Sequence, residues 1–394
     1  MPYLIPTYLF DGFSLKTNTC IQVDDEGIVL DILTKEPFPS SGIVLNGLLM
    51  PGMINCHCHL ELSHMKGAIP KHTGLVNFLM TINQSRNLQN NLEIATAIDQ
   101  AEKEMISNGI VAVGDISNKL DTLEQKKKHD LNYHNFIETF GLEDEQASHR
   151  FETSMSICKA FQEIAPSSIV LHAPYSISNT LIQLVNDFNQ NKLSTIHNQE
   201  CDAENELFQK GTGDFLQLIQ WILKSPKEIH PTGKSSLQSY LPMLSQINKL
   251  ILVHNTVSTK DDIEFAQQTN KELYWCLCPH ANLYIENTLP DVNLLYASNC
   301  KLVVGTDSLA SNDHLSIWGE LFVLHAHFPT IPLDEKLKWA TSNGAEALGM
   351  NSTLGSLENG KQPGIVFIEN FNIEHPFDES TKIQTLFKAG KIYS

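Results

Sequence analysis

The sequence predicts an α/β protein: a (β/α)8 barrel of the TIM type over residues 51–352, beside a small β-sandwich domain built from both chain ends, residues 1–50 and 353–394. Three observations predict it. From about residue 50 onward, apolar strand-like runs alternate with helical ones, the pattern of a parallel sheet covered by helices. Eight such runs occur, most followed by a helix, which favours a closed barrel over an open sheet. Both ends of the chain carry short β-like runs broken by glycine-rich turns, and pairing them is the simplest arrangement.

The opening runs, Tyr3–Phe10, Thr19–Val23 and Gly27–Leu33, are separated by Asp-Gly, Asp-Glu-Gly and proline-rich turns and read as a small antiparallel unit. Residues 48–63, LLMPGMINCHCHLELS, read as a buried strand ending in a pair of histidines. Alternate side chains of a strand face the same way, so His57 and His59 should point together and Cys56 and Cys58 to the other face. Gly74–Gln100 and Glu102–Asn108 read as helical and Gly109–Ile116 as the second strand. Further strands are expected at Asn135–Phe140, Ser168–Ala173, Ser194–His197, Leu250–His254, Leu273–Cys278 and Leu302–Thr306. Helices at Met155–Glu163, Leu181–Asn189, Asp262–Thr269 and Leu315–Ala326 separate them. The tail, from Gly355 through the apolar run Ile365–Ile368 to Gly390-Lys-Ile-Tyr, returns to β-like material.

Composition excludes several classes. A formal charge of −18 argues against nucleic acid as a partner, since such binders need a basic stripe. No run approaches the ~20 apolar residues of a membrane helix. The eight cysteines form no C-x-x-C pair and read as buried thiols in a reducing compartment; with no secretory leader apparent, the expected location is the cytoplasm. A homodimer is the assembly to test. Only two arginines occur, Arg86 and Arg150, so either would be conspicuous in a pocket.

In such barrels, chemistry collects at the carboxyl ends of the strands. The first strand ends at His57 and His59, the fourth at His172, the fifth at His197, the sixth at His254 and the eighth at Asp307. So many metal-ligating side chains at strand ends point to a metal site.

The segments PGMINCHCH, HAPYS, HNQE, LVHN, CPHAN and GTDS resemble the metal-dependent amidohydrolase superfamily, and within it the mononuclear aminohydrolase (deaminase) branch. That resemblance implies that His57, His59, His197 and Asp307 bind one divalent ion, Zn²⁺ or Fe²⁺, with a water. It implies that His254 hydrogen-bonds the water or the substrate and that Glu200, in the H-x-x-E pattern, is the proton shuttle. The chemistry agrees. A metal lowers the pKa of its water from 15.7 to roughly 7. Asp307 can take the water's proton while Glu200 protonates a ring nitrogen and then the departing ammonia.

Two departures from relatives matter. A bridging carboxylated lysine of binuclear relatives is replaced at the fourth strand by His172, which favours a single metal. The common Cys-Pro-Arg-Ser-Asn reads Cys278-Pro279-His280-Ala281-Asn282 here, so an arginine contact is missing. The zinc deaminases with H-x-E and a distant P-C-x-x-C are excluded, because no P-C-x-x-C occurs. The Leu-Glu-Leu-Ser run is similar to aminodeoxyfutalosine deaminases. The expected substrate is therefore an adenine-type nucleoside, with Glu61 on the sugar hydroxyls, His172 on the ring and Arg150 on an acidic group. Hydrolysis of C–N or C–Cl bonds on triazine-like rings is the alternative, and a non-enzymatic scaffold is disfavoured by the complete ligand set.

Overall fold

The computed structural model describes residues 3–35, 37–190, 192–226, 229–377 and 381–392. All eight expected strands of the central region form, as two four-stranded parallel sheets. One pairs Met53–Cys58, Ile110–Ser117, Asn132–Thr139 and Ser167–Leu171 in that order. The other pairs Leu193–Asn198, Lys249–His254, Glu272–Leu277 and Lys301–Val304. Strands covered on both faces are expected to be apolar throughout, and Ile110–Ser117 is buried along its whole length.

Hydrogen bonds join the two sheets at both seams. The Thr306 and Asp307 amides each donate to the His57 carbonyl at 3.0 Å, and the His197 amide donates to the His172 carbonyl at 2.9 Å. Gly305 permits the first of these approaches: a Cβ there would lie 2.8 Å from that of His57. One apolar cluster draws on both sheets, with Ile54, Phe136 and Val170 from the first meeting Val253, Cys276 and Val303 from the second.

The chain ends share a seven-stranded sheet. Its order is Lys382–Ala389, Pro363–Glu369, Ile43–Pro51, Tyr3–Phe10, Cys20–Val23 and Val29–Leu33, with Leu15–Lys16 added to Tyr3–Phe10. The expectation of a purely antiparallel unit fails at one pair: Tyr3–Phe10 and Ile43–Pro51 run parallel. The chain between them passes through three other strands and returns to the far side of Tyr3–Phe10, where it runs in the same direction.

Residues 48–63 also divide differently from a single strand. Leu48–Pro51 belong to the terminal sheet, Met53–Cys58 to the parallel one, and Gly52 joins them where a Cβ would strike Val111. The pairing of Met53–Cys58 with its neighbour is irregular between Asn55 and Cys58. Strict alternation is lost there, because an extra residue in one strand re-aims the side chains beyond it. Cys56 thus packs in the cluster of Cys276 and Cys278, whereas Cys58 packs in that of Leu60 and Ile137, and the two thiols do not share a face. The expected long helix after the first strand is broken into Leu75–Ser85 and Asn91–Ser107, the second begun by a reciprocal Asn90–Glu93 cap.

One buried pair ties the second strand to the turn after His59. Asp115 accepts the Leu60 amide at 2.9 Å and the Lys126 ammonium at 2.5 Å, and Asn135 takes a further ammonium proton at 2.8 Å. Both side chains of the ion pair are essentially inaccessible. Asp115→Ala strands a buried cation and is expected to cost about 3–5 kcal/mol. Urea unfolding followed by far-ultraviolet circular dichroism measures this; an unchanged midpoint would show that the charge finds another partner.

Candidate active site

The carboxyl ends of the strands converge. The rings of His57 and His59 lie 4.9 Å apart between centroids, those of His57 and His197 4.9 Å, and those of His197 and His254 5.5 Å. Asp307 places Oδ1 3.6 Å from His57 Nε2 and 3.5 Å from His59 Nε2. His254 and Asp307 adopt left-handed backbone, with φ of 74° and 56°. Non-glycine residues in that region are costly, and such strain gathers at functional sites.

Hydrogen bonds decide which nitrogens stay bare. His197 Nδ1 donates to the His172 carbonyl at 2.8 Å, so its Nε2 carries a lone pair. That Nε2 stands 3.3 Å from His59 Nε2. His254 Nδ1 donates at 2.9 Å to Asn282 Oδ1, whose amide nitrogen is committed to Thr256, so His254 Nε2 is bare as well. Among the described residues neither ring nitrogen of His57 has a hydrogen-bond partner, although the side chain is wholly buried. Burial lowers His57 to about 3 and lowers His59 and His254, so these imidazoles are neutral at physiological pH. Burial works to raise Asp307, but the neighbouring His57, His59 and His254 hold its carboxyl well below the usual range. Unpaired buried imidazole nitrogens converging with an ionised carboxylate fit a divalent ion of the Zn²⁺ type. His57, His59 and Asp307 form one cluster able to hold a metal, and His57, His197 and His254 another that shares His57.

Glu200 is 6% exposed and places Oε1 3.6 Å from His254 Nε2. Burial pushes its carboxyl up to about 8, against the pull of His197. It is no solvated loop acid. Its loop is fixed by Glu204, which accepts the Gln199 and Glu200 amides at 3.1 Å each. His172 lines the same cavity, with Nδ1 2.8 Å from Ser176 Oγ and its ring 4.9 Å from that of His197.

The expected sugar contact is displaced. Glu61 is buried but is not among the residues lining the cavity. Its Oε1 meets Arg86 at 2.7 Å and its Oε2 accepts the Asn118 and Lys119 amides at 2.9 and 3.2 Å. With both oxygens engaged, Glu61 holds the wall in place from behind. Arg86 takes the lining position instead, together with Asn118 and Glu138. Glu138 was legible in principle, since it ends an apolar strand as His197 does. Arg150 reaches the cavity rim from the helix Asp144–Gln162, exposed to solvent.

The cavity has a volume of about 410 Å³. Its floor holds His59, His197, Glu200, His254 and Asp307, and its upper walls are apolar, including Leu75, Phe78, Leu142, Leu218, Ile219 and Leu223. Among the described residues no helix is long and apolar enough to cross a membrane.

Known proteins share this chain's pattern. An amidohydrolase family profile matches residues 48–393. An adenosine deaminase of Helicobacter pylori is 26% identical, with 96% of this chain and 97% of that protein covered. The crystal structure of Helicobacter pylori aminofutalosine deaminase with methylthio-coformycin superposes with a TM-score of 0.80 at 22% identity, covering 96% of this chain and 95% of that one. A zinc complex of atrazine chlorohydrolase from Arthrobacter aurescens superposes at 0.75 and 16% identity, covering 99% and 96%. With the profile spanning the parallel sheets and every converging side chain, the chain belongs to the amidohydrolase family.

Proposed function

We propose that the protein is a metal-dependent hydrolytic deaminase of an adenine-type nucleoside whose sugar carries an apolar substituent ending in an acidic group, as in aminodeoxyfutalosine. The observation that carries this reading is Glu200: a buried, protonatable carboxyl beside bare imidazole nitrogens, on the floor of a cavity with apolar upper walls. The names of the similar proteins, deaminases of adenosine and aminofutalosine, support the same class.

In this reading His57, His59, His197 and Asp307 hold one divalent ion, Zn²⁺ first among candidates. When bound, the ion supplies a water acidified from 15.7 to roughly 7. Asp307 takes the proton as water adds to the ring carbon that bears the amino group. His254, with its own proton fixed on Nδ1, aligns the attacking water through Nε2. Glu200 gives its proton to the adjacent ring nitrogen and then carries the proton held by Asp307 to the amine, which leaves as ammonia; the remaining hydroxyl proton returns to Glu200 as the carbonyl forms. The apolar upper walls bury the sugar substituent. The fold reading that accompanies this is a closed barrel over residues 51–352 and a curled β-sandwich of residues 1–50 and 353–394. Seam hydrogen bonds support the closure. Gly27, at one edge of the terminal sheet, lies against Phe387 at the other, which supports the curl. Buried free thiols support a reducing, cytoplasmic setting.

An ammonia-release screen over aminopurines, their nucleosides and aminotriazines tests the reading, which expects release from adenine nucleosides. The apolar walls also suit an alkylamino-triazine; turnover confined to triazines would favour that alternative. Arg150 sets a smaller expectation. Because it is exposed, its contact with an acidic group contributes at most about 1 kcal/mol. Arg150→Ala should thus weaken kcat/KM by up to about 5-fold on an acidic nucleoside and not on adenosine. An equal loss on both removes Arg150 from recognition.

A further inference from the structure

Among the described residues, one buried oxygen on the cavity wall has no partner. Glu138 ends the strand Asn132–Thr139, is 7% exposed and lines the cavity. Its Oε2 accepts from Asn118 Nδ2 at 2.9 Å, while Oε1 has no hydrogen-bond partner among the described residues. His197 Nδ1, 3.7 Å away, is committed to the His172 carbonyl at 2.8 Å. Arg86 is turned to Glu61 and Asn118, so among the described residues no arginine or lysine pairs with Glu138. A buried acceptor left empty is costly, so its donor is expected to come from whatever fills the cavity.

Two features say what that donor is. His172 Nδ1 lies against Ser176 Oγ, whose proton goes to the Ala173 carbonyl, so Nδ1 is the donor and Nε2 is left as a second acceptor. The wall therefore presents acceptors and asks for hydrogens. A cation is poorly served there, because His197 Nδ1 already bears a proton and only Glu138 and His172 would remain as ligands. Glu200 follows the strand Leu193–Asn198 and His254 ends Lys249–His254 in the second sheet, whereas Glu138 lies in Asn132–Thr139 and Asn118 follows Ile110–Ser117 in the first. Glu138 and Glu200 line the same cavity, so a nucleoside whose ring lies against Glu200 can reach Glu138 with its sugar.

Resting on the deaminase reading above, we propose that Glu138 accepts a hydrogen bond from a sugar hydroxyl of the nucleoside and sets a preference for ribonucleosides over hydroxyl-free analogues. The test compares the zinc-loaded wild type and Glu138→Gln on adenosine and 2′,3′-dideoxyadenosine, with metal content measured on both proteins. The variant is expected to raise KM for adenosine about 10–150-fold, the worth of a hydrogen bond to a charged group, with kcat and metal content little changed. The dideoxy analogue should bind the wild type correspondingly less well and be indifferent to the substitution. Equal KM for the two nucleosides on the wild type, equal losses on both, or loss of metal would overturn the assignment. Release of ammonia from neither nucleoside by the wild type would overturn the deaminase reading, and this inference with it.

Discussion

Asp307→Asn is expected to lower kcat/KM by more than about 10⁴-fold while the protein unfolds at nearly the same denaturant concentration. The substitution removes two functions at once. It takes the only carboxylate from the cluster of His57 and His59, which lies 3.5–3.6 Å from both rings. In the proposed mechanism it also removes the group that accepts the proton of the attacking water, and a positioned acid–base group alone is worth roughly 10²–10⁴. The shape is kept, because an amide oxygen can still accept the Ser311 hydroxyl now bonded to Asp307 Oδ2 at 2.5 Å. Ammonia release and urea unfolding on the same preparation check this. Near-normal turnover would remove Asp307 from the chemistry.

Glu200→Gln should retain the metal and lose on the order of 10²–10⁴ in kcat, with KM much less affected. Glu200 sits beside His254 but belongs to none of the clusters able to hold a metal, so metal content is expected to match the wild type. The amide cannot shuttle a proton. Its neighbour Glu204 still fixes the loop through the Gln199 and Glu200 amides, so the loss is chemical and not conformational. A variant that keeps most of its kcat would make Glu200 a bystander; one that loses its metal would make it a ligand.

Much of this was legible in the residues. Buried parallel strands are apolar on both faces, so their eight runs stood out, and a histidine or aspartate closing such a run is conspicuous. His57, His59, His197, His254 and Asp307 were each marked in that way, and the structure brings them together. What escaped depends on register and on long-range partners. The irregularity between Asn55 and Cys58 leaves no mark on an apolar run, so alternation put Cys56 and Cys58 on one face. Parallel pairing of Tyr3–Phe10 with Ile43–Pro51 depends on where the chain returns, which local composition does not encode. Glu61 stood next to the histidines in sequence, but its partner Arg86 lies on the next helix and draws it behind the wall. Glu138 carries a weaker mark than a histidine at the same place, because a carboxylate in Asn-Phe-Ile-Glu-Thr reads equally well as the exposed face of a strand.

The most direct measurement is a titration of metal-free protein with Zn²⁺ while ammonia release from an adenine nucleoside is monitored. Activity should rise linearly and saturate at one equivalent per chain, with the nucleoside's aminopurine absorbance lost in step. Saturation only at two equivalents, or full activity in the metal-free protein, would contradict a single-metal hydrolytic deaminase.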